Sequence, residues 1–184
     1  MTPSTLSPPA AGPRVTPDAS DPRRGRLVLG ARSWACALGA GGVVAEADKR
    51  EGDQATPAGT FALRRLLYRA DRLAAPATGL PVAAIGEHDG WCDAPGDAAY
   101  NRPVRLPYPA SAEMLWRADG VYDAIVVLGH NDAPVVDGLG SAVFLHIARP
   151  DFSPTEGCVA LARADLLALL ANLTPEMSLR VDLP

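Results

Sequence analysis

The chain has 184 residues, 48% of them hydrophobic, and a formal net charge of −4 at pH 7. That length suits one globular domain with a full core. The acidic balance and the lack of a Lys/Arg cluster argue against a nucleic-acid groove, and no apolar run approaches the roughly 18 residues of a membrane span.

The first 22 residues hold six of the 18 prolines. Residues 1–25 are therefore expected to form a disordered, proline-rich leader ahead of a domain over 26–184. Arg23, Arg24 and Arg26 are read as part of a solvated linker. No basic run precedes an apolar one here, so no secretory signal is visible. A cytoplasmic protein, an export route the sequence does not show and a misplaced start all stay open.

Residues 26–29 and 34–38 flank a short turn and are predicted as a hairpin. Gly39, Gly41 and Gly42 break the pattern without a helix after them, which argues against a phosphate loop. Residues 43–45 are a short strand. Residues 56–59 (Thr-Pro-Ala-Gly) are read as a turn with Pro at its second position, leading into a strand over 60–67. The stretch 90–104 holds Trp91, Tyr100 and several Asn, Asp and Pro residues, and is expected to be an irregular loop folded over a cleft. Residues 111–116 are predicted as a short helix capped by Ser111, with Glu113 in its first turn. Apolar strands follow over 122–128 and 142–147. Leu166, Leu167, Leu169, Leu170 and Leu173 give helical spacing over 163–173, and the alternation over 178–183 closes the chain as a strand. The sum is a mainly β domain with two short helices.

Chemistry concentrates at His146 and Cys158, twelve positions apart. A thiol attacks carbonyls as its thiolate, and a nearby imidazole takes the proton. Gly157 lets the backbone turn tightly just before the nucleophile. His146 is predicted on a strand, facing away from Leu145 and Ile147. His88 lies in a polar turn and is expected at the surface, while His130 follows an apolar strand and is a candidate to line a cleft. A Cys36–Cys92 pair would leave Cys158 alone, but three reduced thiols is the favoured reading. No CxxC or HxxxH occurs, so no metal is expected. No Gly-x-Ser-x-Gly elbow suggests a serine nucleophile.

Two segments together resemble a known family. Gly52-Asp53-x-x-Thr56-Pro57-x-Gly59-x-Phe61, and His146 followed by Thr155-x-Gly157-Cys158, are similar to the signatures of the L,D-transpeptidase catalytic domain, also called YkuD. Gly90-Trp91-Cys92-Asp93 and Tyr100-Asn101 are similar to a compact bacterial branch of it. The likeness runs from about Arg26 to the C-terminus.

The resemblance implies a mainly β, β-sandwich-like catalytic domain with a few short helices, and no cofactor. It implies that Cys158 attacks the amide between a diamino acid and the terminal D-alanine of a peptidoglycan stem. D-Alanine leaves, and an amine of a second stem resolves the thioester into a cross-link. His146 would act as base and then acid, and N–H groups around Gly157 and Cys158 would hold the oxyanion. Thr155 or Ser153 would position the imidazole or the substrate. His130, Arg149, Trp91 and Tyr100 are further candidates for substrate contacts. Donor and acceptor stems are then the expected partners, carbapenems are expected covalent inhibitors, and the periplasm or cell envelope is the expected place of action.

Two residues depart from the family pattern. Ala160 stands where many members carry an Arg suited to a carboxylate. Glu156 stands where a His is common, and is expected to point to solvent. Three functions stay open: a transpeptidase, an L,D-carboxypeptidase using the same Cys–His pair with water, and a non-catalytic wall-binding module.

Overall fold

The computed structural model describes residues 12–184. The strands are β1 (Arg14–Pro17), β2 (Arg24–Leu29), β3 (Arg32–Ala37), β4 (Val43–Ala45), β5 (Thr56–Tyr68), β6 (Val82–Ala84) and β7 (Asp89–Cys92). They continue with β8 (Pro103–Arg105), β9 (Ala112–Met114), β10 (Ala124–Leu128), β11 (Phe144–Ile147) and β12 (Val159–Leu161). The helix α1 (Arg163–Leu170) and β13 (Ser178–Val181) close the chain.

The protein is mainly β. Its larger sheet runs β10-β11-β12-β3-β2-β1-β13-β5, and β10 also pairs with β5. The pairings thus form a closed circuit of eight strands. The long strand β5 makes this closure possible: Gly59–Ala62 pair with β13, and Leu63 with 65–68 pair with β10. Inside the circuit lies a core that includes Leu27, Phe61, Leu66, Val126, Leu145, Val159 and Leu161, and Leu166, Leu169 and Leu170 of α1 pack against it.

Four expectations change. The proposed leader is not uniform, because β1 lies within it. Val15 is fully buried there, and β1 pairs with β2 on one side and β13 on the other. Residues 1–11 of the expected leader lie outside the described residues. Residues 56–59 are not a turn but the start of β5, where Pro57 is admitted because strand beginnings tolerate a missing N–H. Residues 111–116 form no helix. Ala112–Met114 pairs with β7, and a run this short lacks the apolar stripe that would repay helix nucleation. One α-helix remains, not two.

The stretch 90–104 is also more regular than expected. The antiparallel strands β8-β7-β9 make a small second sheet that covers the outer face of β10 and β11.

Truncating Val15 tests whether β1 belongs to the folded domain. Val15→Ala should cost about 2 kcal/mol in chemical denaturation, the usual cost of a cavity at a buried aliphatic site. A cost near zero would place residues 14–17 outside the cooperative unit.

Candidate active site

The strands β10, β11 and β12 are buried on both faces. Val126, Leu145, Val159 and Leu161 point into the large core. Ile125, Val127, Phe144 and Cys158 point the other way, towards Trp91, Leu115 and Tyr122 beneath the small sheet. The parallel ladder sets Leu145 opposite Val159 and His146 opposite Ala160. Because side chains alternate, His146 and Cys158 fall on the same outer face of adjacent strands. Both are almost fully buried, at 7% and 6% exposure, and both line one cavity of about 550 Å³.

The cysteine loop is held from its backbone. Thr155 Oγ1 donates to the Cys158 carbonyl at 2.7 Å and accepts the Gly157 N–H at 3.2 Å. Thr56 Oγ1 reaches the same carbonyl at 3.3 Å and accepts the Gly39 N–H at 2.8 Å. Gly157 has φ of +128°, and a Cβ there would lie 2.9 Å from Ala55 O. Only glycine satisfies both the dihedral and the approach. The Ala55 backbone is itself fixed, because Asp53 accepts its N–H while paired to Lys49. The upstream motif and the cysteine motif therefore meet as one unit.

At rest the two reactive groups are not hydrogen-bonded to each other. The Cys158 thiol donates to Ala142 O at 3.3 Å, and Sγ accepts the Phe144 N–H at 3.3 Å. The His146 ring contacts Ile147 O through Nδ1 at 2.9 Å. A carbonyl can only accept, so Nδ1 carries the proton and Nε2 keeps the lone pair. The Tyr122 ring stands edge-on to the imidazole, with centroids 5.2 Å apart.

Burial dominates the electrostatics. It pushes the Cys158 thiol up to about 12, helped by the nearby Glu113 charge, and pulls His146 down to about 4. The free protein thus holds a neutral thiol beside a neutral imidazole. The cavity wall also carries Glu51, Asp93, Glu113 and Glu156, against Arg117 and Arg149.

The candidates from the sequence divide. Ser153, Thr155 and Arg149 line the cavity with Cys158 and His146. Gly157 supports the loop beneath them. His130 does not join this site: it lines a separate cavity with Glu46, and its Nε2 contacts Leu139 O. Trp91 and Tyr100 are buried supports and do not line the site cavity. Trp91 Nε1 donates to Asn101 Oδ1, which also accepts the Ala142 N–H beside Cys158. Tyr100 donates to Glu51 and accepts the Gly140 N–H. Glu156 is exposed as expected, yet it lines the cavity mouth. His88 is exposed, and Cys36, Cys92 and Cys158 are all free thiols. Among the described residues no group of three His, Cys, Asp or Glu is arranged to hold a metal.

Sequence reasoning missed Glu113, Arg117 and Tyr122. They reach the site through the pairing of β9 with β7 and the start of β10, which no local pattern announces.

A family model described as the L,D-transpeptidase catalytic domain (YkuD) matches residues 21–181. The chain belongs to this family. Among solved structures it is similar to L,D-transpeptidase 1 of Mycobacterium tuberculosis, at 11% identity with a TM-score of 0.39. That likeness covers 92% of this chain and 61% of the other, so the chain spans less than two thirds of that protein. Comparison with curated proteins gives no significant match.

Two outcomes follow from the site. Thr155→Val keeps the shape but strips the Gly157 N–H of its acceptor and the Cys158 carbonyl of its shorter bond. It should lose about 1–3 kcal/mol in denaturant titration, and no loss would mean the loop is held otherwise. Because the thiol is raised, the thiolate fraction at pH 7 lies far below that of free cysteine. Alkylation of Cys158 by iodoacetamide, followed by peptide mass mapping, should be slow at pH 7 and rise about tenfold per pH unit through pH 10. A rate that is fast and flat from pH 6 to 8 would instead show a preformed ion pair.

Proposed function

We propose that this protein is a peptidoglycan L,D-transpeptidase with Cys158 as nucleophile and His146 as its proton carrier. The observation supporting this most is the placement of the two side chains on one face of adjacent strands, over a single cavity, in a chain of this family. The donor is a stem peptide ending in D-alanine. Its scissile carbonyl approaches Sγ while His146 Nε2 takes the thiol proton. The neutral resting pair means that proton transfer accompanies attack rather than preceding it.

The Gly157 N–H is engaged by Thr155, so the Cys158 N–H is the better candidate for the oxyanion. His146 then protonates the departing amine, D-alanine leaves, and a thioester remains on Cys158. The amine of a second stem attacks it and forms the cross-link. Arg149, which also lines the cavity, supplies positive charge for a donor carboxylate in the place of the usual Arg that Ala160 replaces. Ser153 lines the same cavity. The place of action is the cell envelope, where the substrate lies. Among the described residues no helix is long and apolar enough to cross a membrane.

Purified protein incubated with tetrapeptide muropeptides should yield a cross-linked dimer and free D-alanine, read by mass spectrometry. Tripeptide without dimer would assign L,D-carboxypeptidase activity instead, and no product would leave a wall-binding role. Cys158→Ala should abolish turnover with its denaturation midpoint little changed; residual turnover would remove Cys158 as nucleophile.

A further inference from the structure

Glu113 has no part in the acylation described above, yet it sits in the wall of the same cavity. Its Oε1 accepts the Tyr122 hydroxyl, and Tyr122 in turn packs edge-on against His146. Among the described residues no other donor reaches this carboxyl. Arg117 faces it but is already paired with Asp119. Asp93 and Glu156 face it with like charge, and Asp93 Oδ1 is itself buried without a partner. Glu113 also opposes ionisation of Cys158. The cavity wall that carries Cys158 thus presents carboxyls in excess of free cations.

We propose that Glu113 docks the ammonium of the acceptor amine and takes its proton, acting in the second half-reaction and not in the first. This rests on the transpeptidase reading above. Burial and its acidic neighbours raise the Glu113 carboxyl to about 7, so it changes charge near neutral pH. While Cys158 is becoming a thiolate, a protonated Glu113 is the favourable neighbour. Once Cys158 is a neutral thioester that repulsion is gone, and an ionised Glu113 is free to accept a cation.

The step balances. Glu113 carboxylate takes one proton from the acceptor ammonium. The freed amine attacks the thioester carbonyl, the C–N bond forms, and the C–S bond breaks with its electron pair going to Sγ. The second excess proton on nitrogen passes to His146 Nε2 and on to Sγ, while the proton on Glu113 returns to solvent. Thioester and ammonium become amide, thiol and one released proton.

The test separates the half-reactions in the full chain carrying Glu113→Gln, which keeps an acceptor for Tyr122. Acylation is read as the first-turnover release of D-alanine. Deacylation is read by adding a diamino-acid amine, or hydroxylamine, to the isolated acyl-enzyme. Acylation by the variant should be no slower than wild type. Deacylation by the amine should fall at least tenfold at pH 7, and the wild-type inflection near pH 7 should disappear, leaving a rate that climbs with the free-amine fraction. Hydroxylamine, neutral at pH 7, should deacylate both proteins equally. If acylation and both deacylations fall together, Glu113 is merely structural; if amine deacylation is unchanged, it has no role with the acceptor. A wild type that forms no acyl-enzyme would overturn the transpeptidase reading itself, an outcome distinct from either.

Discussion

Two hydroxyls, from Thr155 and Thr56, converge on the carbonyl of Cys158, and the geometry of the site depends on that junction. A cysteine at the end of a loop would otherwise sample many positions. Here the carbonyl is held from two directions, and Gly157 is pressed against Ala55 where no larger residue fits. The junction explains why two motifs about a hundred residues apart occur together. Thr56 begins β5, whose remainder closes the circuit of strands, so the strand that completes the fold also holds the Cys158 backbone.

The second organising fact is that β10, β11 and β12 have two dry faces. One face is pure core. The other carries His146 and Cys158 beneath the small sheet, and the same burial that orders them also discharges them. A neutral thiol and a neutral imidazole are the natural state of such a pair. In the proposed reaction, attack by Cys158 then waits on a substrate that fills the cavity and brings its carbonyl to the oxyanion donor.

Much of this was legible in the sequence where local pattern decides structure. Alternation around Leu145 and Ile147 gave the outward direction of His146, and the leucine spacing gave α1. The Gly157-Cys158 turn was visible for the same local reason. What failed was non-local. Ser111 looks like a helix cap, but pairing with β7 overrides so short a signal. Trp91 and Tyr100 look like cleft aromatics, yet their polar tips are bonded to Asn101 and Gly140 and brace the loop beside Cys158. Glu113 and Tyr122 gave no sign of a shared site, because the small sheet brings them together only after folding.

Acyl transfer through a thioester on Cys158 is the step on which the proposed function turns. It is tested most directly by mixing the protein with a stem tetrapeptide, quenching in acid within the first turnover, and mapping the adduct by mass spectrometry. The expected mass gain equals the mass of the tetrapeptide minus that of D-alanine, located on the peptide containing Cys158. Product formation with no adduct there, or with the adduct on another residue, would contradict it.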